Sequence, residues 1–429
     1  MKILTYIGIV LLTAVVLPAG AQIRFFEGSY AEALAKAKKE KKDLFVDCWA
    51  EWCAPCKMLA ETVFTDGELG DYFNDRFVCV KLNVEKPENK EVVKRYQIAS
   101  LPTLLFISRD DKELRRVAGA QPAPGLLREA RIALGEELSY EQVYAKYRKN
   151  KKDHEALQQL LIEGPEFLMK QEGYNREKWN ARIESFFPEY LKSKKLERMI
   201  NDVDFYILTL YHPQRTKEDP VFDFVVANYG KFVSAIDTAT VARYVIGLNN
   251  SYIIQLCKQG NPAYRESIKR VSGDLQPIYN TFSFGALSVE EAITLLADAT
   301  FHLYRRNVAG FFENMDRYFA AKGADVELND YTQPLQDLAV AYEGQLPQEA
   351  YPRCIPWIGK ALEFKEETTP EIRTRLLTML GQCFQNTEQA GKAKQCYNQA
   401  FIESAQIKNP AMRQDMQQMI QGILQSLEP

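Results

Sequence analysis

The chain has 429 residues, enough for two or three domains of the usual ~100–200 residues, each with its own core. Hydrophobic content of 46% and charged content of 26% are globular values, and 54 basic against 57 acidic side chains leave a net charge of −3. That balance supplies no long-range field to draw in DNA, RNA or an anionic membrane surface, so nucleic acid is not expected as a partner.

The first residues read MKILTYIGIVLLTAVVLPAGAQ: one lysine, an apolar run from Ile3 to Leu17, then Pro18 and the small triplet Ala19-Gly20-Ala21. The apolar run is shorter than the ~20 residues a spanning helix needs, and the pattern is that of a secretory signal cleaved near Ala21, leaving Gln22 first. No cysteine follows the small residues, so lipoprotein-type cleavage is not expected. The expected location is outside the cytoplasm, in a bacterial periplasm.

Ser29 and Glu32 form an S-x-x-E capping box ahead of AEALAKAKKEKK, a solvent-facing helix ending near Lys42. Strand formers then cluster at Leu44-Phe45-Val46, at 77-FVCVKLNV-84, at 103-TLLFIS-108 and, after the turn 109-RDDKE-113, at 114-LRRVA-118. Helical patterns separate them over Lys57 to Phe64, Asp66 to Asn74, Glu88 to Tyr96 and Pro124 to Leu134. Strands alternating with helices and closed by a hairpin and helix imply an α/β layer fold of ~110 residues. The expected division is a leader at 1–21, this α/β domain at 22–137 and an all-α domain at 138–429. The basic run 146-KYRKNKK-152 reads as a solvated helix face or linker.

Beyond Glu136 long amphipathic stretches dominate. Leu377, Leu380, Gly381 and Phe384, followed by Ala393, Tyr397 and Ala400, resemble the tetratricopeptide pattern, with Thr369-Pro370 as cap and first-turn proline. Small residues at Gly381 and Ala393 would let two helices approach while the aromatics fill between neighbouring pairs. One such unit, at about 371–405, cannot bury its own face, so a helical-repeat domain, an α-solenoid of at least three stacked pairs, is expected.

Of the eight cysteines, at 48, 53, 56, 79, 257, 354, 383 and 396, only Cys53 and Cys56 have a spacing that implies chemistry. A structural zinc site needs four Cys or His ligands, and His154, His212 and His302 are scattered through the helical part, so no metal is expected. Inert core thiols are the ordinary reading of a cysteine. A pair at i, i+3 where a strand ends and a helix begins is different, because unpaired backbone N–H groups and the helix dipole stabilise a thiolate there. A pKa moved from ~8.5 to ~7 corresponds to roughly 2 kcal/mol in favour of the charged form. Cys53 becomes nucleophilic near neutral pH, and Cys56, one turn on, is placed to resolve a mixed disulfide.

The run 47-DCWAEWCAPCKM-58 resembles the thioredoxin active-site segment almost position for position, 81-KLNV-84 and 96-YQIASLPT-103 match later segments, and Gly119 stands where a glycine follows the last strand. The stretch 61-ETVFTDGELGDYFNDRFVCVKLNV-84 is similar to a periplasmic subclass, the thioredoxin-like domain of thiol:disulfide interchange proteins. The resemblance spans Phe25 to about Gly135. It implies a thioredoxin-like fold, no cofactor beyond a redox-active Cys53–Cys56 disulfide, and protein thiols or disulfides as partners, together with a membrane or soluble redox partner. By resemblance, Asp47 is the buried acid that takes the Cys56 proton, with Lys81 beside it. Pro102 is cis and opposite the disulfide, Leu101 offers its backbone to an incoming peptide, Trp52 is an apolar shelf and Pro55 holds the helix start. Two departures stand out: Ala54 replaces the usual glycine, and Glu61 stands where the family has a helix-kinking proline.

The expected activity is that of a thiol:disulfide oxidoreductase, reducing or isomerising protein disulfides, with a helical domain that binds partners. The alternative is an adaptor whose redox centre is vestigial. Cys48 and Cys79 are expected in the core, on opposite faces of the sheet by strand alternation, with Cys79 on the Lys81 face. A Cys383–Cys396 bridge is not inferable from sequence.

Overall fold

The apolar run that starts at Leu44 becomes the central strand of a mixed sheet in the computed structural model, which describes residues 22–281 and 286–427. The expected leader, 1–21, lies outside the described residues. Five strands, β1 (Phe25–Phe26), β2 (Asp43–Trp49), β3 (Phe77–Asn83), β4 (Thr103–Ile107) and β5 (Glu113–Ala118), lie in the order β1-β3-β2-β4-β5. β1 and β2 run parallel to β3, whereas β4 is antiparallel to both β2 and β5. Helices α1 (Tyr30–Glu40), α2 (Ala54–Met58), α3 (Gly67–Arg76), α4 (Lys90–Arg95) and α5 (Ala123–Ala133) complete the α/β layer expected from the alternating pattern.

Period-2 alternation along β2 sends its side chains into two cores. Leu44, Val46 and Cys48 join Val78, Val80 and Leu105 beneath Ala33 and Ala37 of α1. Phe45 joins Phe73, Phe77, Cys79 and Phe106, and meets Phe73 edge-on at a centroid distance of 4.8 Å. Burial of each such side chain contributes roughly 1.5–3 kcal/mol, so β2, covered on both faces, anchors everything attached to its ends. The Ser29–Glu32 capping box forms as expected: the Glu32 N–H donates to Ser29 Oγ at 3.3 Å, and the Ser29 N–H donates to Glu32 Oε2 at 2.8 Å.

Three local features depart from the expectation. β1 has only two residues, too few to show a periodicity. α4 is entered through a tight 3-10 turn, Pro87–Asn89, and begins two residues later than expected. The helix after the cysteine pair begins at Ala54 and passes at Leu59–Val63 into a π-helical turn centred on Glu61. The family's kinking proline is absent, and a π turn is the other common way to break an i→i−4 ladder.

The chain divides into two compact units that meet between Trp179 and Asn180. The first therefore includes two helices beyond residue 137, α6 (Tyr140–Lys149) and α7 (His154–Met169). Arg128 of α5 donates to Glu163 of α7 at 2.5 Å, and Tyr140 donates its hydroxyl proton to the Leu160 carbonyl at 2.9 Å. In the basic run, Lys146 pairs with Asp153 at 3.1 Å and Lys151 lies over the Tyr147 ring.

The second unit is built of helices joined by short turns, and no described helix is long and apolar enough to cross a membrane. Helices Pro370–Asn386 and Ala390–Ser404 occupy the segment with the repeat-like pattern, and Thr369 caps the first of them. Ala393, Tyr397 and Ala400 are buried together with Leu377. A Cβ on Gly381 would stand 2.8 Å from the Tyr397 ring, so the close approach does require glycine.

Candidate active site

β2 ends at Trp49, and four residues later Cys53 caps α2. Cys53 and Cys56 are joined in a disulfide with Cα atoms 5.3 Å apart. The Cys56 N–H lies 3.3 Å from Cys53 Sγ, and the Cys53 carbonyl accepts the Cys56 and Lys57 N–H groups at 3.2 Å. An acceptor at this position satisfies helix donors that otherwise go unpaired. The two cysteines are 2% and 3% exposed in the oxidised form, so exposure does not distinguish their roles. The surface around them is apolar and open: Ala54, Pro55 and Met58 are exposed, and Trp52 is 69% exposed. The Trp52 indole is held by donation of Nε1–H to Glu85 Oε1 at 3.0 Å.

Asp47 lies on β2 directly opposite Lys81 on β3, because the parallel register pairs their Cα positions and so aims both side chains to one face. The carboxyl is 1% exposed, and Lys81 Nζ stands 4.0 Å from Oδ2. Among the described residues Oδ1 has no hydrogen-bond partner. Burial pushes the Asp47 pKa up to about 7, against the opposing pull of the Lys81 charge. The Lys81 ammonium lies 4.9 Å from the centroid of Phe25 and 5.6 Å from that of Phe64, within cation–π range of both rings. A carboxyl poised near neutrality can take and return a proton at physiological pH.

The Leu101–Pro102 peptide is cis. Its neighbourhood is pinned by two bonds: Thr103 Oγ1 donates to the Ser100 carbonyl at 2.7 Å, and the Gly119 N–H donates to the Pro102 carbonyl at 2.8 Å. Gly119 has φ +84°, a left-handed conformation that favours glycine. Leu101 itself is half-buried, and among the described residues its backbone N–H and C=O make no hydrogen bond.

Each residue expected at the site is thus placed: Cys53, Cys56, Trp52 and Pro55 at the start of α2, Asp47 and Lys81 on adjoining strands, and Leu101-Pro102 before β4. Sequence reasoning did not find Glu85, Phe25, Phe64 or Met58. A lone acid after β3 and scattered aromatics carry no local signature, and only tertiary contact brings them to Trp52 and Lys81. Cys48 and Cys79 are buried in opposite cores, and burial pushes both thiols up, away from reactivity. Cys383 and Cys396 are unbridged.

Among the described residues no group of three or more His, Cys, Asp or Glu side chains gathers as a metal site. His212 is engaged by the Tyr244 hydroxyl and Asp219, and His302 by Asn307.

The profile of a family described as a thioredoxin-like domain matches residues 30–131. The chain is 33% identical over 93 residues to the thioredoxin of Mycolicibacterium smegmatis, a match covering 22% of this chain and 80% of that one. It is 36% identical over 85 residues to the thioredoxin of Acidithiobacillus ferridurans, covering 20% and 74% of the two chains. Among solved structures, a putative disulphide-isomerase from Bacteroides thetaiotaomicron is similar at 43% identity, covering 28% of this chain and 98% of that one, with a TM-score of 0.26.

Proposed function

The chain belongs to the thioredoxin-like family, and on that premise we propose that it is an exported oxidoreductase that reduces or isomerises protein disulfides, its helical unit engaging the protein partners. The observation that carries the reading is the Cys53–Cys56 disulfide at the start of α2, beside an open apolar rim. In the reduced enzyme the Cys53 thiolate attacks one sulfur of a substrate disulfide; a Cys53–substrate S–S bond forms and the other substrate sulfur leaves as a thiolate. Cys56 gives its proton to Asp47 and attacks Cys53 Sγ. The Cys53–Cys56 bond re-forms, and the second substrate thiolate leaves. Two electrons pass to the substrate, and an external dithiol must restore the enzyme.

Three features support the residue roles. The acid near neutrality, Asp47, suits a proton acceptor that must return its proton each cycle. The unpaired backbone of Leu101 suits strand-like pairing with an extended peptide. The exposed Trp52, Pro55 and Met58 offer apolar contact to a client without a fixed side-chain code. Export rests on the leader pattern of residues 1–21 and is tested by whether the secreted form begins at Gln22.

The deciding measurement is reduction of insulin by dithiothreitol with wild type and Cys53→Ser. Equal rates would overturn the mechanism. In Cys56→Ser, clients should accumulate as reducible high-mass bands; bands equally abundant in Cys53→Ser would exclude Cys53 as the attacking sulfur.

A further inference from the structure

The helical unit forms a half-open pocket of about 240 Å³ between four of its helices, Thr238–Lys258, Val289–Tyr304, Val308–Lys322 and Leu328–Ala341. Its buried floor is apolar, formed by Ile253, Leu303, Phe311 and Met315, while its polar wall carries Asn250, Gln333 and Asp337. Among the described residues no Lys, Arg or His side chain lines it. An apolar concavity with a few convergent polar groups has the composition of a small-molecule site rather than of a packing defect. The size is informative: a cavity of ~150 Å³ lined by aliphatic and aromatic groups holds a benzene. This one therefore accommodates a phenyl or branched aliphatic body with a short arm.

The head group follows from the two carboxylates in the wall. Asp330 is already satisfied, accepting from Lys322 Nζ at 2.7 Å, from the Tyr318 hydroxyl at 2.8 Å and from the Glu327 N–H at 2.7 Å. Asp337 is not. Its side-chain partner is the neutral amide of Gln333, 3.0 Å from Oδ1, and among the described residues no cation forms an ion pair with it. Lys258, the basic group that acts on it at longer range, carries its Nζ over the Tyr304 ring instead. Burial lifts the Asp337 carboxyl above the ordinary carboxylate range, with Gln333 and Lys258 opposing. A half-buried carboxylate in a pocket wall, with no direct ion-pair partner among the described residues, is stabilised by a ligand that brings a cation into contact with it.

We propose that this cavity binds a small amphipathic amine, its apolar body on the Leu303–Phe311–Met315 floor and its protonated amino group on Asp337. Anions are disfavoured by the two carboxylates in a lining that has no basic side chain among the described residues, and a neutral ligand of the same shape gains the floor but not the ion pair. The site belongs to the helical unit alone and is independent of the cysteine chemistry.

The test is calorimetric titration of the full-length protein with phenethylamine, phenethyl alcohol and phenylacetate, three probes of one shape and different charge. At pH 8 the amine should bind at least about tenfold more tightly than the alcohol, the scale of one charge-assisted hydrogen bond, and phenylacetate should not bind. Asp337→Asn should bring the amine down to the alcohol's affinity while the alcohol is unchanged, which a misfolded variant could not show. Ala297→Phe, which fills the cavity from its wall, should abolish binding of both. Equal binding of all three probes, no binding of the amine at millimolar concentration, or an undiminished amine affinity in Asp337→Asn would each overturn the proposal.

Discussion

Lys81 Nζ stands 4.0 Å from Asp47 Oδ2, while the other carboxylate oxygen, Oδ1, meets no partner among the described residues. The pair is long for an ion pair and incompletely hydrogen-bonded, so the lysine offsets only part of the cost of burying the acid. The consequence is a pKa near 7 instead of 3.8.

That displacement makes stability depend on pH. Between pH ~4 and ~7 the folded state holds more protons than the unfolded one, so stability falls as pH rises through this window and is lowest above it. Asp47→Asn removes the cost. Denaturant unfolding should show the variant close to wild type at pH 4 and more stable at pH 8, by up to about 4 kcal/mol for a displacement of this size. A variant less stable than wild type at pH 8 would mean that the carboxylate is better satisfied than its surroundings indicate. If Asp47 is the base that takes the Cys56 proton, as proposed, the same variant should resolve mixed disulfides more slowly, by roughly tenfold or more.

Lys81 acts in the opposite direction. It lowers the Asp47 pKa, so Lys81→Met should raise it further. The pH profile of insulin reduction, or direct titration of the carboxyl, should move to higher pH. Lys81 is one-third exposed and its ammonium lies over aromatic rings, so methionine can keep the stem packing and little change in fold is expected. A profile unchanged or moved to lower pH would show that the lysine does not reach Asp47 electrostatically.

Trp52 projects into solvent, and its indole N–H donates to Glu85. Its exposure implies a small contribution to the folded state, and under the proposed function its main contribution is to client contact. Trp52→Ala should raise KM for a protein disulfide several-fold while Tm moves little, and Glu85→Gln, which keeps an acceptor for the indole, should be nearly silent. A large Tm loss in Trp52→Ala with unchanged KM would assign the ring to packing.

The legible parts of the sequence were those where local chemistry and tertiary structure agree. The Ser29–Glu32 box, the alternation of β2 and the strand-to-helix placement of Cys53 are each dictated within a few residues. The pocketing of Lys81 by Phe25 and Phe64 was not legible, because it needs β1 beside β3, and a two-residue strand leaves no pattern. Proline marks a helix start at Pro220, Pro370 and Pro410, but not everywhere in the helical part. Pro334 and Pro356 lie inside helices, where neighbouring packing outweighs the lost backbone bond. Glu61 shows the reverse: the residue gave no sign of a kink, and the ladder is nevertheless broken by a π turn.

The helical part offers its own test at Gly381. A methyl group there would stand 2.8 Å from Tyr397 Cε1 and 2.9 Å from Cζ, contacts closer than packed atoms tolerate. Alanine gains up to about 1 kcal/mol of helix propensity over glycine, whereas overpacking a filled interior costs about 1–3 kcal/mol. The ring is buried and its hydroxyl donates to Gln385 Oε1 at 3.1 Å, so it cannot swing aside freely and the clash should prevail. Gly381→Ala should therefore lower the unfolding midpoint of the helical unit by the equivalent of about 1 kcal/mol, with insulin reduction unchanged at 25 °C. The double variant with Tyr397→Leu, which clears the ring from that position, should recover part of the loss. A midpoint that rises in Gly381→Ala alone would show that the two helices stand farther apart than the packing of Gly381 against Tyr397 requires.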